Sequence, residues 1–230
     1  MNNLWIELIP LILGATLAPI YPIIVLLLLQ SERGLSKAAV FVAGAVAARL
    51  VQGVIFGLVF VPAVDAESAA GLTIIGPTLL TLVGILLLVM GVKKWRKGGS
   101  DEDGQEPPAW MSALTGMSTL KAAGSGALLI LLAVKQWVFT LSAISVIEEA
   151  QPGVPAGIAL YLFYTLATQL LVLPPLLAFA VAPDKSAAPL RAAQGWLQRH
   201  NRVIVMVVSL VFGVFFLYRG ITGLLAFRGM

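Results

Sequence analysis

Six stretches of this 230-residue chain run for about twenty residues or more with hardly a charged side chain: 4–29, 38–60, 71–92, 124–147, 155–181 and 203–227. That is the length an α-helix needs to cross the hydrocarbon core of a bilayer. No water is present there to satisfy backbone groups, so a helix is the natural spanning form. A β-barrel would show alternation over short segments, and none is visible. The expected fold is therefore an all-α polytopic membrane protein with six transmembrane helices. The first and fifth runs are longer than a crossing needs, so tilt or breaks are expected there.

Composition agrees. Hydrophobic residues make up 59% and charged residues 11%, against about 25% charged in a soluble domain. A disordered chain and an ordinary soluble enzyme are excluded. The absence of Cys excludes a disulfide-stapled scaffold. No Lys or Arg precedes the first apolar run, so it lacks the basic start of a secretory signal. That run is expected to stay in the mature protein.

The basic residues set an orientation. Arg33 and Lys37 follow the first run; Lys93, Lys94, Arg96, Lys97 and Lys121 follow the third; Lys185, Arg191, Arg199 and Arg202 follow the fifth. The loops on the other side carry only Asp65, Glu67, Glu148 and Glu149, with Arg228 alone at the C-terminal tip. The positive-inside rule places the basic side in the cytoplasm and both termini outside. A bacterial inner (plasma) membrane suits such a short chain. The net charge of +4 is thus a topology signal, and nucleic acid is not expected as a partner. Trp5, Trp95, Trp110 and Trp196 fall near the ends of the runs, as an aromatic belt would.

Residues 93–109 (KKWRKGGSDEDGQEPPA) read as a flexible cytoplasmic linker between two halves. The domain reading is a three-helix unit at 1–92, a linker at 93–123 and a second three-helix unit at 124–230. The basic cluster of this linker either attracts anionic headgroups or serves topology alone. Residues 186–200 resemble a short interfacial helix, with Leu190, Trp196 and Leu197 available to face lipid.

Three is odd, so the two halves enter the membrane in opposite senses, as in many secondary transporters. Weak internal likeness supports an inverted repeat. GILLLVMG (84–91) matches GVFFLYRG (213–220) in its glycines, and Gln52 has a counterpart in Gln169.

Polar side chains at membrane depth are functional candidates by default. Arg49 and Lys135 lie deep in the second and fourth runs, with no Asp or Glu at similar depth. Gln52 shares a face with Arg49. Gln136 follows Lys135, and Tyr164 and Gln169 stand in the fifth run. Glu7 and Arg219 sit toward the outer ends, where a long side chain snorkels to water. Buried carboxylates, which cation carriers and proton relays use, are missing. The chain has a single His, His200, in a loop, so no metal and no cofactor are expected. Two buried cations without acids suggest an anionic ligand: a carboxylate, phosphate or sulfate. The alternative is that both bond backbone carbonyls at broken helices, or snorkel. Candidate breaks are Pro19, Tyr21 and Pro22 in the first run and Pro174 and Pro175 in the fifth, with Pro77 early in the third. Lys135 follows Pro19 by 116 residues and Gln169 follows Gln52 by 117. The break and the Lys-Gln pair thus hold matching places in the two halves, where an inverted-repeat transporter puts its substrate. Small residues at 44–48 and 124–126 permit close helix packing and allow a homodimer.

Four stretches carry a family resemblance: GATLAPIYPIIVLLLL, SERGLSKAAVFVAGAVAARLVQG, AVKQWVFTLSA and GVFFLYRG. They resemble the GAP-type (glycopeptidolipid- and sulfolipid-addressing) family of the lysine-exporter (LysE) superfamily of small six-span carriers. Amino-acid exporters of that superfamily tend to carry Pro-Gly-Pro in the first span; here the stretch is Pro19-Ile20-Tyr21-Pro22. Their Asn-Pro-Lys-Asn in the fourth span corresponds to Ala133-Val134-Lys135-Gln136, where only the Lys is kept. The resemblance implies membrane export of a lipid or glycolipid component rather than of an amino acid.

The leading expectation is a transporter or translocator for an anionic lipid or small anionic molecule, working by alternating access. Arg49 and Lys135 would hold the anionic group, with Gln52, Gln136, Tyr164 and Gln169 orienting it. A proton lost from Lys135 in one state would couple transport to protons. The alternative is a non-transporting accessory subunit of a lipid-export or envelope-assembly complex. An enzyme is not expected, since the spans hold no nucleophile–base pair, no paired carboxylates and no metal-ligand set.

Overall fold

The computed structural model describes residues 2–17, 19–65, 69–96, 114 and 116–228. Among these, every regular element is a helix. The linker beyond Arg96, together with Glu67 and Trp110, lies outside the described residues. The helices are α1 (Asn2–Thr16), α2 (Ile20–Leu29), α3 (Gly34–Asp65), α4 (Ala69–Arg96), α5 (Thr119–Leu132), α6 (Val134–Glu149), α7 (Val154–Ala167), α8 (Leu173–Val181) and α9 (Pro183–Arg228). Segments of α3, α4 and α9 are each long and apolar enough to cross a membrane. The bent pairs α1–α2 and α5–α6 bring the number to five if each pair is one span, and α7 is a shorter apolar helix. The protein is membrane-embedded.

The first run breaks where its prolines stand. Pro19 caps α2 and Pro22 lies in its first turn, where a missing backbone N–H does no harm. The chain bends by 51° there. The fourth run breaks as well, by 71° at Ala133, with no Pro or Gly to announce it. Two side-chain and backbone features hold this break. The Ala133 backbone is extended, and the Trp137 indole donates to the Leu131 carbonyl at 2.7 Å, satisfying an open end of α5. The fifth run divides at 168–172, a turn tied by Gln169 N to the Leu166 carbonyl and Val172 N to the Gln169 carbonyl. The break precedes Pro174 and Pro175, which open α8 rather than interrupt a helix. Pro77 lies inside an unbroken α4.

The last third corrects another expectation. Residues 186–200 are not a separate interfacial helix. They form the first part of α9, 46 residues long, which continues into the final apolar run. Leu190 is buried and Leu197 packs on the same core, so both face protein, while Trp196 is half exposed.

Close packing orders the bundle. A Cβ on Gly44 would strike the Ala123 carbonyl, and one on Gly126 the Phe41 carbonyl, so α3 and α5 touch backbone to backbone. In the α4–α9 pair, Gly84 meets Leu217 and Gly213 meets Leu88; Gly91 meets Leu210 and Gly220 meets Thr81. The two helices run antiparallel. Exchanging each residue for its counterpart in the other glycine stretch turns each contact into its partner.

The apolar core has two parts. One gathers α2, α3 and α5 around Leu28, Phe41 and Ile130. The other gathers α1, α4, α6, α7 and α9 around Leu8, Leu11, Phe139 and Phe216. Basic residues collect at one end. Gln30 at the end of α2 bonds Gln194 of α9, and Arg202 of α9 donates to the Lys94 and Trp95 carbonyls closing α4.

Replacing Gly126 by Leu should separate α3 from α5, since a carbonyl cannot rotate aside as a side chain can. Overpacking of this kind costs about 1–3 kcal/mol or more. Thermal unfolding in detergent should show a lowered Tm for Gly126→Leu. Gly124→Leu, which meets nothing within 4 Å, should not lower it.

Candidate functional site

Between the two apolar cores lies a layer of buried polar side chains. Arg49 and Gln52 come from α3; Gln136 and Thr140 from α6; Tyr164 and Thr165 from α7; Thr168 and Gln169 from the break after it. Tyr21 enters from the start of α2. All three broken runs therefore deliver their breaks, or the first turn beyond them, to this layer. The reason is physical. A broken helix frees backbone and aims side chains inward, and this is tolerated at membrane depth only inside protein.

Arg49 is the centre. It is only 3% exposed, and its one hydrogen bond runs from Nη2 to Gln136 Oε1 at 2.7 Å. Its Nε and Nη1 have no partner. Among the described residues, no carboxylate is paired with it. Gln136 lies in the first turn of α6, whose N-cap, Ala133, supplies no side-chain cap. The positive end of the α6 dipole thus adds to the guanidinium charge instead of offsetting it. Lys135, in the same turn, is half buried and feels the repulsion of Arg49. Two cations and a helix N-terminus therefore share one place. Such a helix end takes up anions readily.

The remaining polar groups surround Arg49. Tyr161 donates its hydroxyl to the Arg49 carbonyl at 2.5 Å, and its ring fills the space that Gly53 leaves open. Thr140 donates to Gln52 Oε1 at 3.5 Å, while Gln52 Nε2 has no partner. The fully buried Tyr164 hydroxyl lies beside Arg49 and Thr140 but forms no hydrogen bond of good geometry. Ser142 Oγ and Thr165 Oγ1 are likewise unpartnered. Tyr21 donates to Gln169 Oε1 at 3.0 Å, and Gln169 Nε2 donates to Thr168 Oγ1 at 3.1 Å. Buried polar atoms are normally paired, so several orphans in one layer single it out as the candidate site.

The expected residues divide accordingly. Arg49, Gln52, Gln136, Tyr164, Gln169 and Tyr21 enter the layer; Lys135 reaches its edge. Pro19 and Pro22 shape the break beside it. Pro174 is exposed and Pro175 only partly buried, and neither belongs to the layer. Thr140, Ser142, Tyr161, Thr165 and Thr168 were not anticipated. Hydroxyl residues pass easily for helix surface in an apolar run, and only their burial in the folded chain, with Thr140 against Gln52 and Tyr161 against the Arg49 carbonyl, distinguishes them. Glu7 and Arg219 do not snorkel apart; they form an ion pair that ties α1 to α9 at the end opposite the basic cluster.

An unpaired buried cation lowers stability. Arg49→Met should therefore raise the unfolding free energy, by roughly 1–3 kcal/mol, the range for a buried group left unsatisfied. Thermal unfolding of the ligand-free protein in detergent reads this as a higher Tm. A lower Tm would mean that the bond to Gln136 outweighs the desolvation of Arg49.

Comparison with known proteins follows this geometry. The family model described as Sap, sulfolipid-1-addressing protein, matches residues 8–222, nearly the whole chain and all of the polar layer. Neither a search of curated proteins nor one of solved structures returned a match. The chain belongs to the sulfolipid-1-addressing protein (Sap) family.

Proposed function

We propose that this protein is a membrane translocator that exports an anionic lipid or small anionic molecule by alternating access between two inverted three-helix halves. The observation that carries the reading is Arg49: a guanidinium buried without a counter-ion among the described residues, with two nitrogens unpartnered, at the uncapped N-terminus of α6. A carboxylate, phosphate or sulfate seated there would neutralise Arg49 and Lys135 together and occupy the free donors. Charge-assisted bonds of this kind are about twice as strong as neutral ones. Gln52, Gln136, Tyr164 and Gln169 would orient the head. The family's name, which speaks of a sulfolipid, fits a ligand that is both anionic and lipidic.

Two arrangements support inverted halves. The α4–α9 contacts exchange under a swap of the glycine stretches. Gln52 and Gln169 also each accept a hydroxyl from the other half, Thr140 in one case and Tyr21 in the other. This is the crosswise pairing expected of an inverted repeat, with the site at its midplane. The same plan joins the chain to the six-span carriers of the lysine-exporter kind. The basic end defined by α2, α4 and α9 is assigned to the cytoplasm of a bacterial inner membrane, with both termini outside. The reading gives the protein no catalytic step. It also favours a carrier over an accessory subunit, because Arg49 is held by a side-chain amide with donors to spare, not locked by backbone carbonyls.

Native mass spectrometry of the purified protein tests the site. The wild-type protein should retain an anionic lipid. Arg49→Gln and Lys135→Ala should each weaken retention roughly ten- to a hundredfold, as the loss of a charged hydrogen bond implies. Pro174→Ala should leave it unchanged. Equal retention by all variants would overturn the assignment, and a bare protein mass throughout would favour the accessory subunit.

A further inference from the structure

A second feature lies along α5, outside the polar layer. Two contiguous cavities, of about 580 and 610 Å³, share Met117, Ser125 and Leu128. Their floor is one face of α5: Gly124, Ser125, Leu128, Leu129 and Leu132, at the three- and four-residue spacing of a single helix stripe. Ile24 of α2 and Phe41 of α3 form one wall; Leu114 and Met117, just before α5, form the other. Among the described lining residues the only hydroxyl, that of Ser125, is spent on the Lys121 carbonyl and the Met117 sulfur. The result is a walled apolar groove whose described lining between Lys121 and Ala133 offers no free side-chain polar group. Leu128 and Leu132, 54% and 75% exposed, stand on its open side, where lipid would lie.

The ends of the groove differ. One end is the exposed Lys121 in the first turn of α5, at the basic end of the bundle. The other is Ala133, the residue at the break, within one turn of Lys135 and Gln136. Lys121 and Ala133 are separated by about 18 Å along the helix at 1.5 Å per residue. That is a little more than half of a hydrocarbon core about 30 Å thick, the depth of one leaflet.

We propose that this groove is a loading site for an anionic lipid of the leaflet on the Lys121 side. The phosphate or sulfate of its head sits at Lys121, and one acyl chain lies along α5 with its end at Ala133. The length matches one leaflet chain, the described lining is apolar but for the already bonded Ser125 hydroxyl, and its one described cation, Lys121, stands where a lipid of that leaflet carries its head. A chain held this way brings its lipid to within a helix turn of the polar layer without entering it. The site goes beyond the Arg49 reading and does not require it: the groove can hold a lipid whether or not Arg49 binds the head later.

Photolabelling with diazirine-bearing phosphatidic acid at low mole fraction in phosphatidylcholine vesicles tests it. A diazirine at the chain end should label Leu132 and Ala133, and one near the glycerol should label Gly124 and Ser125. Lys121→Gln should reduce labelling roughly fivefold, the ratio that about 1 kcal/mol per basic residue near the surface gives, toward the level of a phosphatidylcholine probe. Leu128→Trp, a change at a lipid-facing position that the fold tolerates, should exclude the chain, whereas Leu120→Trp, exposed outside the groove, should not. Arg49→Gln should leave this labelling intact, so the failure of one site is read apart from that of the other. Labels spread evenly over the lipid-facing sides of α4 and α9, a reversed order of head and chain positions, or equal labelling by phosphatidylcholine would each overturn the proposal.

Discussion

A full positive charge stands at the heart of this bundle with a single hydrogen bond. Arg49 is buried among apolar helices, and among the described residues Gln136 is the one hydrogen-bond partner of its guanidinium. Moving an ion out of water is expensive, and the expense is normally met by a counter-ion. Here the nearest charges, Lys135 and the start of α6, have the same sign. The surrounding architecture follows from keeping that charge dry and still. Tyr161 bonds the Arg49 carbonyl and packs on Gly53, fixing the backbone that bears it. Gln136 reaches it only because the fourth run breaks at Ala133 and re-aims α6. The arrangement is unfavourable for the empty protein and favourable for one that holds an anion, as is usual where stability is given up for function.

The breaks are affordable because the rest of the bundle is packed tightly. Glycines let α3 and α5, and α4 and α9, approach to backbone contact, and lipid offers no hydrophobic drive to replace such packing. The Glu7–Arg219 ion pair closes one end of the bundle, and Arg202, bonded to the last carbonyls of α4, closes the other. Against these rigid parts stand the breaks and the short helices α2 and α7, which bring Tyr21, Tyr164, Thr165, Thr168 and Gln169 to the Arg49, Gln52, Gln136 and Thr140 side chains of α3 and α6.

Much was legible in the chain itself. The apolar runs and the one-sided Lys and Arg were plain in the sequence because a bilayer imposes a length and a charge rule on each segment separately. The prolines of the first run foretold its break for an equally local reason. The conspicuous polar residues, Arg49, Gln52, Gln136, Tyr164 and Gln169, stood out because each is costly at depth. The break at Ala133 was not legible. It depends on the Trp137 indole reaching back to the Leu131 carbonyl, a contact that no local propensity encodes. Nor was the length of α9, since the polar residues 186–200 look like a loop until Leu190 and Leu197 find a core on neighbouring helices.

The sequence by itself therefore determined what depends on each segment alone: that the chain lives in a membrane, which end is basic, and which side chains are out of place in lipid. Tertiary structure decided what depends on faces meeting. It left Arg49 with Gln136 and no acid among the described residues, gave Glu7 and Arg219 to each other, and gathered Thr140, Tyr164 and Thr165 around Arg49 and Gln52. The physical reason is that hydrophobicity is summed along a segment, whereas hydrogen bonds and charges are resolved only between partners, and those partners lie far apart in the chain.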